Sequence, residues 1–249
     1  MVDIHSHIIP CIDAGSQDMA KSVAMAIAAW ESGVTDMIAT PHCNQKGVYE
    51  NYSSPELYRH LETLRRELDM GGVRLNVHLG AEVFATEDMV KLYRENKLLT
   101  LNGSRYMLVE FDFSDDLLFM ENTLYSLLDE GLIPILAHPE RYTALQDRPD
   151  AAMIWYEEGV GIQLNKGSLF GRFGRDALQL ADILTDTGAV SCIASDAHGT
   201  QLRTPDMAEI SELLSAKYPP GTAELLLEEN PRRILFDLDL PKPEADGWA

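Results

Sequence analysis

Basic residues, cysteines and long apolar runs are all scarce in this sequence, and each shortage excludes a class of protein. The 249 residues contain 20 Lys and Arg against 40 Asp and Glu, which gives a formal net charge of −20. Such an excess of negative charge argues against nucleic acid or an anionic membrane surface as a partner. No apolar run approaches the roughly 20 residues that a membrane-spanning helix needs, so membrane insertion is not expected.

The few cysteines indicate a reducing compartment. Cys11, Cys43 and Cys192 form no CxxC pair, and three thiols cannot all pair within one chain. The first motif with candidate functional residues begins at Asp3, so a cleavable signal peptide is not expected. We therefore expect a cytoplasmic protein whose thiols are reduced.

Two familiar routes to phosphoryl chemistry are missing as well. A cysteine-dependent phosphatase needs Cys-x5-Arg, and the residues six positions after the three cysteines are Gln17, Tyr49 and His198. No Walker-type GxxxxGK loop followed by Ser or Thr occurs, so ATP-driven chemistry has no support.

Short apolar runs alternate with amphipathic helical segments along the whole chain. Seven runs are predicted strands, namely Val2–Ile4, Asp36–Ala39, Arg74–Leu79, Tyr106–Phe111, Ile133–Ala137, Gly161–Leu164 and Ser191–Ala194. Predicted helices begin after the caps Asp18 and Ser54, cover 117–130, 149–158, 175–187, 205–217 and 222–229, and end with a short helix from Asn230.

This alternation predicts βα units and a parallel sheet. We predict one domain over residues 1–240, folded as an α/β barrel of seven units, with an open doubly wound sheet as the alternative architecture. Residues 241–249 carry two prolines and mixed polarity, and we expect them to form a loosely ordered C-terminal tail.

Polar side chains that can bind metal stand at or near the C-terminal end of every predicted strand. In chain order they are His5, His7, Asp13, His42, Glu82, Glu110, His138, Asn165, Asp196 and His198. The carboxyl ends of barrel strands meet at one mouth, so these side chains are expected to converge there. The other two histidines, His60 inside a predicted helix and His78 inside a strand, are interpreted as structural or surface residues.

The types of side chain restrict the metal. Imidazoles and carboxylates without a well-placed thiolate favour Mn²⁺, Fe²⁺ or Zn²⁺ over a soft-metal site or an all-oxygen Ca²⁺ site. There are more ligands than one ion needs, so two or more ions are expected. Clustered cations suit phosphoester hydrolysis. Arg141 and Arg203 follow the fifth and seventh strands and suit phosphate binding, although a plain surface position remains open for Arg203.

Six short motifs carry a resemblance to a known superfamily. They are Asp3-Ile-His5-Ser-His7-Ile-Ile-Pro10, Ala39-Thr-Pro-His42, Gly80-Ala-Glu82, Ala137-His-Pro-Glu-Arg141, Gln163-Leu-Asn165 and Ser195-Asp-Ala-His198. The sequence resembles the PHP (polymerase and histidinol phosphatase) superfamily and, within it, the bacterial manganese-dependent tyrosine phosphatases of the CpsB/YwqE type. The resemblance implies a distorted seven-stranded (β/α)7, TIM-like barrel. It also implies hydrolysis of phosphotyrosine on proteins, typically the tyrosine kinases that control capsule or exopolysaccharide export.

The resemblance also assigns roles to individual positions. It implies two or three divalent ions, manganese first and iron or zinc as alternatives, held by His5, His7, His42, Glu82, Glu110, His138, Asp196 and His198. Arg141 and Arg203 match the phosphate-binding arginines of the family. The family commonly has two adjacent acids where this chain has Asp13-Ala14-Gly15. Asp13 is thus a candidate catalytic residue, and the missing acid at Ala14 would reduce turnover if it assists protonation.

Two other functions stay open. The same site would suit a small phosphoester such as histidinol phosphate or a nucleotide, and Ala14 motivates a non-catalytic binding protein stabilised by metal. For a phosphotyrosine substrate, the long loops 43–54 and 165–174 are the expected walls of a recess. Tyr49, Phe170 and Phe173 on these loops are candidates to pack against the phenyl ring.

Overall fold

The fold is known from a computed structural model that describes residues 1–241. The tail predicted at 241–249 therefore lies outside the described residues, apart from Pro241. Within the described range the strands are β1 Val2–Ser6, β2 Asp36–Ala39, β3 His42–Cys43, β4 Asn76–Leu79, β5 Glu82–Phe84, β6 Tyr106–Glu110, β7 Ile133–Ala137, β8 Gly161–Asn165 and β9 Cys192–Ala194. They form two sheets with the orders β1-β2-β4 and β3-β5-β6-β7-β8-β9.

Every strand pair within these sheets is parallel, which confirms the predicted α/β class. All five residues of β6 and all five of β8 are buried. Parallel strands are covered by helices on both faces, so apolar residues occur along them without a regular exposed polar face. The strand signal in this sequence is therefore strong even where alternation of apolar and polar residues is absent.

The described residues contain nine strands where the sequence predicted seven, and a closed barrel of seven strands is not confirmed. The difference arises because the second and third predicted strands each have a short continuation after an interruption. Thr40 and Pro41 separate β2 from β3, and Gly80 and Ala81 separate β4 from β5. Proline has no N–H to donate to a ladder, so the regular pairing stops there.

Backbone hydrogen bonds continue the pairing of these two chain segments into the interruptions. Gly80 donates to the carbonyl of Ala39 at 2.8 Å, and Glu82 donates to that of Pro41 at 3.1 Å. Beyond the end of β9, Asp196 donates to the carbonyl of His5 at 2.9 Å. The segment that follows β9 therefore lies directly against β1, where two of the candidate ligands stand.

The helices are α1 Met19–Glu31, α2 Pro55–Met70, α3 Met89–Arg94, α4 Leu117–Asp129, α5 Thr143–Asp147, α6 Pro149–Glu157, α7 Lys166–Leu169, α8 Arg175–Asp186, α9 Ala208–Lys217, α10 Thr222–Glu224 and α11 Asn230–Leu235. The predicted caps of α1 and α2 are confirmed, since Asp18 accepts from the N–H of Lys21 and Ser54 from that of Leu57. None of the helices in residues 1–241 is long and apolar enough to cross a membrane.

Two helix predictions need correction, and three short helices were missed. The helix predicted from residue 205 begins at Ala208, because the Asp206 carboxylate accepts the Ala208 N–H at 2.9 Å and ends the preceding loop. The helix predicted over 222–229 is π-helical from Leu225 to Glu229 and runs directly into α11. The short helices α3, α5 and α7 were not predicted, since none has a side-chain cap to mark its start.

Two apolar clusters hold the strands in place. The larger one packs the helices against the sheets, and Trp155 and Tyr142 are among its fully buried side chains. The smaller one joins β1, β2, β6, β7 and β9 to Ile234 and Leu235 of α11. Close packing on both sides restricts the strand ends to one arrangement, which a preorganised site requires.

Candidate metal centre

The strand ends bring the eight candidate ligands together around one buried carboxylate, Glu82. Its Oε1 atom lies 3.3 Å from His5 Nε2 and 3.0 Å from His138 Nε2. Its Oε2 atom lies 3.2 Å from His7 Nε2 and 2.9 Å from His42 Nδ1. We call Glu82 and the side chains around it the Glu82 cluster, whose members are His5, His7, His42, Glu82, Glu110, His138, Asp196 and His198.

Three groups within the Glu82 cluster have the spacing of a metal site. The groups are His7 with His42 and His198, His5 with His7 and Asp196, and His42 with Glu82 and Glu110, and the ligand atoms of each lie within 4.8 Å of one another. His138 belongs to none of the three. Its Nε2 atom nevertheless lies 3.7 Å from Glu110 Oε1 as well as close to Glu82.

Several atoms of the cluster lack the hydrogen bonds that buried polar groups normally make. Within residues 1–241, His42 Nδ1, His138 Nδ1, Glu82 Oε2 and Asp196 Oδ1 are buried without a hydrogen-bond partner. His42 Nδ1 is near Glu82 Oε2 without the alignment of a hydrogen bond. The Nε2 atoms of His5 and His7 face each other at 3.3 Å. Lone pairs aimed at common points fit bound cations.

The charges of the cluster support the same interpretation. Burial acts to lower the pKa of His42, but the Glu82 and Glu110 carboxylates outweigh it and raise that pKa to about 9. The pKa values of His5 and His7 are also raised against the effect of burial by neighbouring acids. Without metal, protons on these imidazoles neutralise the buried carboxylates. The site therefore demands positive charge, which divalent cations can supply.

Asp13 lies behind the cluster rather than inside it. Its Oδ2 atom is 2.7 Å from His7 Nδ1 and accepts the backbone N–H of His42 at 3.1 Å. Its Oδ1 atom accepts the N–H of Gly15 at 2.9 Å. A Cβ atom on Gly15 would lie 2.2 Å from the carbonyl oxygen of His7, so this turn requires glycine. The departure from the family, Ala14, is exposed at the tip of the turn.

A chain of amide side chains orients the far side of the cluster, and the sequence did not reveal its role. Gln163 Oε1 lies 2.8 Å from His5 Nδ1, and its amide nitrogen donates to Asn165 Oδ1 at 3.0 Å. Asn165 in turn donates to Asp196 Oδ2 at 2.6 Å. Partners of this kind fix the tautomer and angle of metal ligands. The sequence feature that could have revealed them is the spacing of Gln163 and Asn165, which are two positions apart on β8 and so lie on one face of the strand.

The two candidate arginines occupy different positions. Arg203 donates from Nε to the backbone carbonyl of Asp196 at 3.0 Å, its Nη1 lies 3.3 Å from His198 Nε2, and its Nη2 forms an ion pair with the Asp196 carboxylate. Arg141 has only a distant contact, 3.7 Å from Nη1 to Asp196 Oδ2. Both face the Glu82 cluster, so a plain surface position for Arg203 is wrong.

Aromatic rings line the approach, and one was not foreseen. Tyr49 stacks on His42 with the ring centroids 5.5 Å apart. Phe173 lies against the Arg141 guanidinium, whereas Phe170 lies under Arg172. Phe113, on the loop after β6, also lies against the Arg141 guanidinium. Sequence patterns gave no reason to separate Phe113 from ordinary core residues.

The two other histidines and Lys166 have contacts outside the Glu82 cluster. His78 pairs with Asp36 at 3.1 Å, and His60 is half-buried in α2, so neither histidine is in the Glu82 cluster. Lys166, for which the sequence offered no account, donates to Thr204 Oγ1 at 3.3 Å and to the Asp206 carbonyl. Burial lowers the pKa of Lys166 to about 8. Lys166 thus ties the segment after Arg203 to the end of β8.

The cysteines are expected to be dispensable for turnover. Burial raises the pKa of the Cys43 thiol to about 12 and also raises that of Cys192, and both stay protonated at neutral pH. Cys11 is exposed, and its thiol donates to the Gln17 carbonyl at 2.9 Å. Cys11→Ser, Cys43→Ala and Cys192→Ala should each retain most of the wild-type kcat in steady-state assays. A phosphocysteine intermediate trapped during turnover would contradict this expectation.

Comparison with known proteins agrees with this geometry. The family model described as "Capsular polysaccharide synthesis, CpsB/CapC" matches residues 1–236. The tyrosine-protein phosphatase YwqE of Bacillus subtilis is 33% identical over 92% of this chain and 89% of its own length. The tyrosine-protein phosphatase CpsB of Streptococcus pneumoniae is 29% identical over 95% of this chain and 99% of its own length.

Solved structures extend the comparison to the fold. A crystal structure from the pair YwqE of Bacillus subtilis and CpsB of Streptococcus pneumoniae, described as unique metal-dependent tyrosine phosphatases, has a TM-score of 0.90 at 32% identity and covers 97% of both chains. The phosphotriesterase homology protein of Escherichia coli has a TM-score of 0.63 at 12% identity, over 93% of this chain and 97% of its own, which shows a shared fold alone. The chain therefore belongs to the CpsB/CapC family of capsular polysaccharide synthesis.

Proposed function

We propose that this chain is a metal-dependent protein-tyrosine phosphatase. The observation that carries the proposal is the Glu82 cluster, a buried set of imidazoles and carboxylates with unsatisfied atoms, which stands beside two arginines. Phosphoester hydrolysis needs cationic stabilisation of the phosphoryl oxygens, and cations held by this cluster would supply it together with the arginines. The names of the relatives YwqE and CpsB support tyrosine phosphatase activity.

We further propose that the eight members of the Glu82 cluster hold two or three divalent ions, with manganese as the first choice. Three overlapping groups of ligand atoms support more than one ion. Bound cations would neutralise phosphoryl oxygens and make water acidic enough to act at neutral pH. Gln163 and Asn165 would keep His5 and Asp196 in the ligating orientation.

The chain's own residues would divide the remaining work. Arg141 and Arg203 would bind the phosphate, since a guanidinium group only donates hydrogen bonds and cannot bind a cation. Asp13 would act through His7, because both of its oxygens are already occupied by His7 and backbone N–H groups. Asp13 is then a positioning residue, and the exposed Ala14 leaves its contacts intact.

We also propose that residues 1–240 form one domain in which the nine strands occupy the seven strand positions of a distorted barrel. In this arrangement β3 continues β2, and β5 continues β4 after its interruption. The parallel bridge between Ser6 and Ala197 would close the circle between the segment after β9 and β1. Closure would explain why all strand ends point into one site.

A bacterial tyrosine kinase of capsule synthesis is the substrate protein that we propose. The family match to capsular polysaccharide synthesis supports this choice. We place both proteins in the cytoplasm, where Cys11, Cys43 and Cys192 would stay reduced as they are in this structure.

A substrate panel tests the proposal. A phosphotyrosine side chain holds its phosphate about one ring length further from the backbone than phosphoserine does. Its phosphate would therefore reach a recessed cluster, whereas the phosphate of phosphoserine would not. With added Mn²⁺ we expect kcat/KM to be highest for phosphotyrosine peptides, lower for phosphoserine peptides of the same sequence, and low for histidinol phosphate. Histidinol phosphate outperforming every phosphotyrosine peptide would assign the enzyme to small phosphoesters instead.

Metal binding should release protons. His42 has a pKa raised to about 9, so its imidazole is protonated at neutral pH and must lose that proton to bind a cation. Metal affinity should therefore weaken as the pH falls below about 9. Conversely, the stability that protonated His42 gives the metal-free protein is complete below 6.5 and is lost as the pH rises through about 9.

Calorimetry of Mn²⁺ binding in buffers of different ionisation enthalpy counts the released protons. His42→Gln should release fewer protons than the wild type, and His78→Gln, which alters a histidine outside the Glu82 cluster, should release the same number. An affinity that does not change with pH would refute the assignment of His42 as a ligand.

A further inference from the structure

Two aromatic rings enclose the guanidinium group of Arg141. Its Cζ atom lies 4.5 Å from the centroid of the Phe113 ring and 4.7 Å from that of Phe173. A cation over the face of an aromatic ring is attracted by the ring quadrupole, and the attraction increases in partly desolvated sites. The Arg141 side chain is only 19% exposed, so the attraction here is not weakened by full solvation.

The strand order places these three residues side by side. Phe113 follows β6, Arg141 follows β7, and Phe173 lies on the loop after β8 and α7. Because β7 lies between β6 and β8 in the sheet, the loop that carries Arg141 emerges between the other two. The enclosure is thus built into the topology and does not depend on one flexible loop.

Arg141 and Arg203 are held in opposite ways. Within residues 1–241 the Arg141 guanidinium makes no hydrogen bond, and its nearest carboxylate oxygen, on Asp196, is 3.7 Å away. The Arg203 guanidinium instead contacts Asp196 and His198 with all three of its nitrogens. The two rings contact Arg141 without using its N–H groups, which leaves those groups available to bind a phosphate.

Each ring has support of its own. Phe113 packs against Tyr142 with the centroids 5.8 Å apart and against His138 at 6.1 Å. Phe173 fits because residue 167 is glycine, since a Cβ atom there would lie 2.9 Å from Phe173 Cε2. Phe113 is therefore placed by Tyr142 and His138, and Phe173 by the absence of a side chain at residue 167.

We infer that Phe113 and Phe173 are positioning residues that hold the Arg141 guanidinium flat between them and direct its free N–H edge toward the substrate phosphate. The inference rests on the proposed phosphatase function and adds two residues to it. Two parallel N–H groups on that edge suit two phosphate oxygens. Without the rings, Arg141 would lose entropy on ordering each time the phosphate binds.

Paired substitutions test the role of the rings. Phe113→Leu and Phe173→Leu keep apolar bulk but remove the π face, and each should weaken inorganic phosphate binding roughly three- to tenfold. Phe113→Tyr and Phe173→Tyr keep the face and should restore binding. Phe170→Leu is the matched control, since that ring lies under Arg172 on the same loop. Gly167→Ala should resemble Phe173→Leu because it displaces that ring.

Calorimetry with inorganic phosphate on the Mn²⁺-loaded protein gives a readout that is independent of turnover. If phosphotyrosine peptides are not hydrolysed by the wild type, the proposed function fails while the phosphate titrations still report on the rings. In an Arg141→Ala background the Leu substitutions should cause no further loss, because their effect passes through Arg141. Leu variants that bind phosphate like the wild type would overturn the inference.

Substrate chemistry separates positioning from direct contact. If the rings act through Arg141, Phe113→Leu and Phe173→Leu should lower kcat/KM by the same factor for phenyl phosphate and for an alkyl phosphate. A loss confined to phenyl phosphate would mean that Phe113 or Phe173 contacts the substrate ring, and it would overturn the positioning role. A loss that persists in full in the Arg141→Ala background would overturn it as well.

Discussion

Removal of the metal should abolish phosphatase activity, and restoring Mn²⁺ should recover it. The reason is that protons on the imidazoles can balance the carboxylates of the Glu82 cluster, but they cannot make a bound water acidic enough to act at neutral pH, as divalent cations would. Asp196→Ala should cause a similar loss, because Asp196 Oδ1 is a buried acceptor that makes no hydrogen bond within residues 1–241, and Asp196 Oδ2 anchors both Asn165 and Arg203. Activity on phosphotyrosine peptides and elemental analysis of the same samples provide the measurements.

A control variant separates loss of metal from loss of fold. Asp36→Ala removes a carboxylate that also pairs with a histidine, His78, but outside the Glu82 cluster. It should retain its metal content and most of its activity. Full activity in protein that elemental analysis shows to be free of metal would exclude metal-dependent hydrolysis.

The second large effect is expected at Arg141. Arg141→Ala should lower kcat/KM by roughly a hundredfold, which is the usual cost of removing a preorganised donor to transition-state charge. The metal content should stay unchanged, because Arg141 touches the cluster only at 3.7 Å from Asp196. Arg203→Ala should lower both activity and metal content, since Arg203 holds Asp196 and His198 directly.

Arg172→Ala is the matched control for these two substitutions. Arg172 is exposed, lies over Phe170 and donates to the Leu202 carbonyl. The substitution therefore removes one positive charge close to the same loops. Its kcat/KM should stay near the wild-type value. Wild-type kinetics in Arg141→Ala would show that the phosphate is bound elsewhere.

The sequence predicted the convergence of the candidate ligands because the relevant rule is topological. Parallel strands end at one side of a sheet, so polar residues that follow separate strands must meet, however distant they are in the chain. His5 and His138 illustrate this, since both contact the same oxygen of Glu82. The predicted membership of the CpsB/YwqE type is likewise confirmed by the family match.

Features that depend on tertiary packing were not predictable. Phe113 is an aromatic residue just after a strand, and its pattern does not distinguish a core residue from a partner of Arg141. The sequence predicts that the second strand ends before Pro41, although the chain pairs again at His42, with Glu82 of β5. In both cases the deciding contact comes from a neighbouring strand, which local sequence does not encode.

The contact between β1 and the segment after β9 determines when the Glu82 cluster can assemble during synthesis of the chain. The Asp3 carboxylate accepts the N–H of Ser195, across 192 positions of the chain, and His5 and His7 have no complete set of neighbours until that segment emerges from the ribosome. Contacts of such long range form late in folding. In the nascent chain His5 and His7 thus lack these partners for about 190 residues of further synthesis, and the complete Glu82 cluster can form only after residues 195–198 have been synthesised.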